Sequence, residues 1–537
     1  MQTNQSLKCF SRALNFAVAC FAGGLFASTA QAAAPGITGP SFDLVAAAGN
    51  ISQPDGASIY SWGYGCNTAP ASNAFVPAAI TTASCPAGQM QLPGPTLIVH
   101  KGDTVTVTLH NSLPAAAGNT SILFPGFKVT ATGGSAGLLT QEATHAVTVT
   151  YTFTADTEGT HSYYSGTQGD LQVEMGMFGA LIVLPSTSAN TAICANGQVT
   201  AAQQVDRGSG TPGDFRLATA AFDQASACYD REYLVQTSEI DPRIHEQAKA
   251  QAGNACTSAT GCMTVETEPY HPAYFLINGR SFPDDLDPNY ASQYPNQPYN
   301  MNPHMHPGEV TLVRIIGQGR LQHPFHEHAN HLRILARDGQ MLLNSASHLS
   351  GPLLFTTTTS PGQTLDGLFE YTGKNLNWDI YGHGDGIAMS GGDVDITDLG
   401  TPGTQCDANG YFTVGNAYQA NNFFEWCGDH KKALESKPFG NVGSGGPVTL
   451  PDPNILVNGA FYGGSPYFGP DATGRAVGPT PIPPFGTIGN DPGSEAGYAF
   501  MWHSHNEREI TTNNIFPGGL MTMMLVDPWV FLIDESK

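Results

Sequence analysis

The stretch PTLIVHKGDTVTVTL, residues 95–109, decides the fold class. Val105, Val107 and Leu109 alternate with Thr104, Thr106 and Thr108, so one face of an extended segment is apolar and the other polar, the period-two signature of a half-buried strand. Similar runs occur at residues 145–153, 179–184, 233–236, 309–316 and 520–526, each set off by turn-forming residues. Amphipathic helical pattern is confined to one short segment, residues 244–251. The reading is an all-β protein of Greek-key sandwich or barrel domains.

Composition agrees. Gly and Pro supply 100 of 537 residues, while charged side chains are only 12%, which excludes coiled coils, long helical bundles and disorder. The length allows about two to four domains. A formal charge of −23 argues against nucleic-acid or anionic-membrane partners, because phosphate binding needs clustered Lys and Arg. Strand pattern divides the chain into one domain at 36–190 and a second over 228–537, joined by a polar, Gly-rich connection. Between about 385 and 495 the pattern thins into Gly, Pro and Asn, an expected long insertion in the second domain. A third small domain is the alternative, supported by an echo between residues 275–279 (FLING) and 455–459 (ILVNG).

Residues 1–32 read as a secretory signal peptide: Lys8 and Arg12 open it, residues 13–28 are apolar and small, and Ala30-Gln31-Ala32 fits a cleavage site. An exported protein, periplasmic or extracellular, is expected, with 19 basic against 44 acidic groups and a net charge of −25 after cleavage. No later run is long enough to span a bilayer. Cleavage removes Cys9 and Cys20 and leaves eight cysteines, whose even number favours disulfides in an oxidising compartment. Proximity pairs Cys66 with Cys85, Cys194 with Cys228, Cys256 with Cys262, and Cys406 with Cys427.

Histidine carries the chemistry. His323, His326, His328 and His331 fall in QHPFHEHANHLRIL, His503 and His505 in MWHSHNERE, and His304 and His306 in NPHMHPGE. Residues two apart on a strand project from one face, so each His-x-His can aim two imidazoles at one ion. Neutral imidazole suits copper, zinc, iron or nickel, with copper highest in raw affinity. Pro303 and Pro307 flank the His304 pair, for which a loop without a ligand role is expected. Met521, Met523 and Met524 read as core.

In these motifs the chain resembles the multicopper oxidases, the superfamily of laccases and ascorbate oxidases. Residues 92–113 (LPGPTLIVHKGDTVTVTLHNSL) look like the family's opening strands and residues 157–184 like the pair that closes its first domain. HPFHEH at 323–328, SPGQTLDGLFEY at 360–371 and MWHSHNEREITTNNIFPGGLMTMMLV at 501–526 follow in the family's order. The resemblance implies tandem cupredoxin-like Greek-key β-sandwich domains. It also implies four copper motifs, of which two are replaced. Leu123-Phe124-Pro125-Gly126 stands where His-Trp-His-Gly is expected, and Tyr164-Ser165-Gly166 where His-Ser-His is expected. The third, His-Pro-x-His-x-His, is intact as His323, His326 and His328, whereas the fourth keeps His503 and His505 around Ser504 instead of cysteine, with Glu509 near its third histidine.

Without a thiolate no blue-copper centre can form, and four histidines cannot supply the eight of a trinuclear cluster. What the resemblance leaves is a residual site of His326, His328, His503 and His505, with His323 and Glu509 as further metal ligands. The expected cofactor is one copper ion or two, with zinc as the alternative, or none if the site has decayed. Glu327, Glu507, Asp338 and Asp385 are the acidic candidates to orient the imidazoles. Three functions remain open: metal binding without laccase-type oxygen reduction, oxidation of a metal ion or small phenol, and a non-catalytic scaffold or assembly role.

Overall fold

The computed structural model describes residues 34–186, 194, 219–258, 260–372, 410–411, 424, 465–468, 496–527 and 533. The expected signal peptide, Asp385, the expected pairing of Cys406 with Cys427 and most of the expected insertion at 385–495 lie outside them. Among the described residues no helix is long and apolar enough to cross a membrane.

The first half of the chain contributes β1 (Gly36–Thr38), β2 (Ser41–Ser52), β3 (Ser58–Cys66), β4 (Phe75–Val76), β5 (Leu97–His100) and β6 (Thr104–Asn111). It continues with β7 (Thr130–Gly133), β8 (Ser135–Ala136), β9 (Gln141–Glu142), β10 (Thr148–Thr154), β11 (Gly159–Tyr164) and β12 (Phe178–Leu184). One sheet runs β3-β2-β6-β10-β7 and the other β11-β12-β5-β1-β4. The threonine–valine alternation explains the register. Val105, Val107 and Leu109 pair with Phe153, Tyr151 and Val149, and all six are buried in one core.

The second half contributes β13 (Thr219–Ala220), β14 (Cys228–Tyr229), β15 (Arg231–Ile240), β16 (Tyr274–Ile277), β17 (His304–Met305), β18 (Val310–Gly317), β19 (His323–Glu327) and β20 (Leu332–Arg337). After these come β21 (Gln340–Met341), β22 (Leu353–Leu354), β23 (Thr356–Thr359), β24 (Thr364–Glu370), β25 (Ser465–Phe468), β26 (Ala496–Ser504) and β27 (Met521–Val526). One sheet runs β16-β15-β18-β24-β20-β21 and the other β17-β27-β26-β19-β23. Between them Val313, Ile315, Phe325, Phe369, Trp502, Met524 and Val526 form a second core. The protein is therefore all-β, built of tandem cupredoxin-like sandwiches.

Two local readings are corrected by tertiary pairing. His304 lies not in a free loop but on β17, which runs parallel to β27, and its Nδ1 meets Asp527 Oδ2 at 2.7 Å. The helix spans Pro242–Gln251, two residues longer than its apolar pattern, because Asp241 caps it by accepting from Arg243 N at 3.0 Å and Pro242 opens it. Disulfides Cys66–Cys85, Cys194–Cys228 and Cys256–Cys262 are formed.

A buried ionic group joins the sandwiches. Arg314 donates to Glu232 at 2.6 Å and to Asp366 at 3.1 Å, and Asp366 also accepts from Thr160 of the first sandwich. Removing one member of such a group leaves a desolvated charge without its counterion. Asp366→Ala is therefore expected to lower unfolding free energy by about 3–5 kcal/mol, measured by denaturant titration. Thr160→Val should cost less, about 1–3 kcal/mol, since a neutral hydroxyl that donates to Asp366 and accepts from Arg314 is lost while the ion pair remains.

Candidate metal centre

Register assembles the site. β19 and β26 are antiparallel, with His326 directly opposite His503, Phe325 opposite Ser504 and Glu327 opposite Trp502. Opposed residues share a face, so the apolar and aromatic members turn into the core while both imidazoles turn outward together. His328, two residues beyond His326, joins that side, and the three offer ring nitrogens that all lie within 4.8 Å of one another. Nε2 of His503 is 3.2 Å from Nε2 of His328. Two imidazole nitrogens bound to one ion at roughly 2.0–2.1 Å in tetrahedral geometry stand about 3.3 Å apart, so this spacing fits a shared metal.

The other ring nitrogens are already engaged. His326 Nδ1 meets Thr356 Oγ1 at 2.9 Å, and His503 Nδ1 donates to the Ser504 carbonyl at 2.7 Å. These contacts fix ring orientation and leave the two Nε2 atoms for a ligand. Thr356 was not legible as a partner, because β23 reaches His326 only through cross-strand pairing. His505 packs against His326, centroid to centroid 4.9 Å, and against His503 at 5.6 Å, but its nitrogens fall outside the three-residue group. It is exposed, on the solvent side of the cluster. Phe355, 36% exposed, stands edge-on to His326 and His331 and gives the site an apolar flank.

The environment holds the imidazoles neutral. Burial, followed by the neighbouring histidines, lowers His326 to about 4 and His328 to about 3, and burial lowers His503 as well. A neutral imidazole is the form that binds a metal.

Of the expected orienting carboxylates, Glu327 and Asp338 are engaged elsewhere, and Glu507 acts on His503 through its charge. Glu327 turns into the core, where Thr357 Oγ1 donates to it at 2.9 Å and burial raises its acid to about 8. Glu507 is exposed, and Asp338 accepts from Thr364 N across a cleft of about 380 Å³ that His161 also lines. His161 packs against Phe127 with ring centroids 4.6 Å apart and planes tilted by 58°, and it bonds the Thr157 carbonyl. His306 lies buried beside Glu309.

His323 and Glu509 come together, but apart from the histidine face. His323 Nδ1 meets Glu509 at 2.8 Å and Nε2 meets Glu239 at 2.8 Å, so neither ring nitrogen is left for a metal. Burial opposes charge on this ring, but the two carboxylates outweigh it and hold its pKa up at about 9. Ser504 Oγ donates to the same Glu509 oxygen. The four groups do not fit a thiolate-copper centre, for which the sulfur donor is missing and the imidazole is occupied.

The replaced motifs of the first sandwich are packed at Leu123, Phe124 and Gly166, whereas Pro125 and Gly126 line the cleft beside His161. Leu123 and Tyr164 exchange backbone hydrogen bonds, and a Cβ on Gly166 would lie 2.8 Å from Leu123 Cγ. Phe124 is buried among Tyr151, Phe153 and Tyr163. Leu123, Phe124, Pro125 and the Tyr164-Ser165-Gly166 run contain no imidazole, so a trinuclear copper cluster does not fit either.

The multicopper oxidase family model matches residues 74–188. No curated protein matches the chain in sequence. Among solved structures it is similar to the multicopper oxidase mgLAC, with 15% identity, 90% of this chain and 85% of that one covered, and a TM-score of 0.41. The blue copper oxidase of Nitrosomonas europaea is similar at 14% identity, with the same coverages and a TM-score of 0.41. The copper nitrite reductase of Nitrosomonas europaea shares 18% identity over 62% of this chain and 84% of its own, with a TM-score of 0.36.

Two opposite pH limbs are expected for the metal-free multicopper oxidase-like chain. His326 and His328 refuse protons that their unfolded counterparts accept near pH 6.5, so stability should fall as pH drops from 6.5 to about 4. His323 has the raised pKa, so its contribution is complete below pH 6.5 and lost as pH rises through about 9. Thermal unfolding across pH should show His328→Gln flattening the acid limb alone and His323→Gln the alkaline limb alone.

Proposed function

We propose that the chain is an exported copper-binding protein, a divergent multicopper oxidase homologue that has lost laccase-type oxygen reduction. The observation that carries this reading is the convergence of His326, His328 and His503 nitrogens within 4.8 Å. His505, against two of these rings, is the fourth ligand of the proposal, reached by a small side-chain rotation at the exposed rim. An all-imidazole set supports copper first and zinc second by affinity order, with room for one ion. A bound copper would supply Lewis acidity or one-electron redox chemistry. The chain's own residues hold the rings neutral, orient them through Thr356 and the Ser504 carbonyl, and keep Phe355 beside them.

The same reading divides the chain into domains at 36–190 and 228–537, with an insertion at about 385–495 and cleavage of the leader after Ala32. The disulfides support an oxidising compartment, periplasmic or extracellular. A second reading, oxidation of a metal ion or small phenol at this copper, draws support from the half-exposed Phe355, which offers an aromatic ring a surface next to His326.

Elemental analysis and calorimetric titration of the purified chain test the proposal. One Cu(II) per chain is expected, with nitrogen hyperfine structure in its electron paramagnetic resonance spectrum and no thiolate-to-copper charge-transfer band. His326→Ala and His503→Ala should each abolish stoichiometric binding while leaving the circular dichroism of the sandwich unchanged. Retention of copper by both variants would sink the assignment. Protons do not compete for His326 and His328 until about pH 4, so copper titrated at pH 5 should still bind through these two rings, and His326→Ala should abolish binding there as at pH 7.

A further inference from the structure

The place where this fold family would put a thiolate-bound copper is occupied by side chains that bond one another. Glu239 on β15, His323 on β19, and Ser504 and Glu509 at the end of β26 meet at a point that is 0–2% exposed. We propose that Glu239, His323 and Glu509 form a metal-free clamp that fixes the Ser504 to Glu509 loop, and so act as positioning residues for the histidine face. This inference rests on the reading that His326, His328 and His503 hold a metal.

Three features argue for a clamp and against a second metal site. The first is the imidazole, which points one nitrogen at each carboxylate from opposite edges of the ring. An ion could reach either nitrogen only by displacing a buried carboxylate. The second is the saturation of those carboxylates. Glu239 Oε1 accepts from the backbone N–H of Arg320 at 2.7 Å and of Leu321 at 2.9 Å, leaving Oε2 for His323. Glu509 Oε1 accepts from Asn506 Nδ2 at 2.9 Å while Oε2 takes both His323 and Ser504. With these donors in place, each carboxylate presents one oxygen to the ring at 2.8 Å, an arrangement of short, directional bonds.

The third feature is where the restraint is delivered. Ser504 is pinned at Oγ by Glu509 and at its backbone N–H by the Leu520 carbonyl at 2.9 Å. Its carbonyl is the acceptor for His503 Nδ1, so the orientation of that peptide sets where His503 Nε2 points. The restraint extends to the first sandwich. Tyr270 Oη sits 2.6 Å from Glu174 and 3.0 Å from Glu239, with the Arg320 guanidinium 4.2 Å over its ring. Glu174 lies between β11 and β12, so the clamp is tied to the other sandwich through Tyr270.

Copper titration of the full chain and of His323→Ala, Glu509→Ala and Glu509→Gln tests the clamp, with circular dichroism confirming that each folds. All three variants are expected to keep one copper per chain, because no ligand is removed. Affinity should fall about 10–100-fold in the two alanine variants, as for other groups that orient ligands from outside. The nitrogen hyperfine pattern should broaden. Glu509→Gln, which still accepts from Ser504, should recover part of the loss. A drop in stoichiometry in His323→Ala would make His323 a ligand and overturn the proposal, as would unchanged affinity and spectrum in both alanine variants. A metal-free measurement separates this inference from the binding reading. Proton–nitrogen spectra of the apo chain at neutral pH should show two slowly exchanging ring N–H signals from His323. Only one such signal would overturn the clamp whether or not copper binds, whereas two signals in a chain that binds no copper would refute the binding reading alone.

Discussion

The histidine face depends on one constraint, the antiparallel pairing of β19 with β26 in a register that sets His326 against His503. A shift of one residue would exchange the faces of whichever strand moved. It would send Phe325 or Trp502, both 0% exposed, into solvent and put that strand's imidazoles in the core. The cost of exposing a large aromatic side chain, several kcal/mol at about 25 cal/mol per Å², is what holds the ligands in place. Core packing on the inner face and metal-ligand geometry on the outer face are thus two consequences of the same register.

The second sandwich separates histidines by neighbourhood. His326, His328 and His503 sit among other imidazoles and apolar groups, and are kept neutral. His323, only three residues from His326, faces two carboxylates and is kept charged. Alternation explains the division: positions 323 and 325 face inward with the core, and 326 turns to the outer face at a strand whose pleat carries the chain past Pro324. A neutral ring can bind an ion and a cationic one cannot, so one motif serves two physical roles.

Most of the positions at which the resemblance implies copper ligands are filled, although Pro125 and Gly126 line the cleft beside His161. Leu123 fills the space against Gly166, Phe124 joins an aromatic cluster, and the Ser504 hydroxyl is absorbed by Glu509. Close packing explains why such replacements come in sets: a lone histidine-to-leucine change in a polar cavity leaves unpaired groups, whereas a filled apolar contact or a satisfied ionic group does not.

Much of the fold was legible in the residues themselves. The Thr–Val alternation at 104–109 can be satisfied only by a half-buried strand, and the spacing of His326, His328, His503 and His505 required each pair to lie on one side of an extended segment. Three disulfides followed from proximity along the chain, because short separations leave few competing partners. What the residues alone could not say was which histidines share a neighbourhood. His323 and Glu509 looked like metal ligands by position in a motif, and only the arrival of Glu239 from β15, more than 80 residues away in the chain, occupied the second ring nitrogen. Thr356 became the partner of His326 in the same way, through pairing of β19 with β23. Local periodicity sets which way a side chain points, since it depends on backbone geometry within a few residues. What meets that side chain depends on strands brought together from distant parts of the chain, and that only the tertiary structure decided.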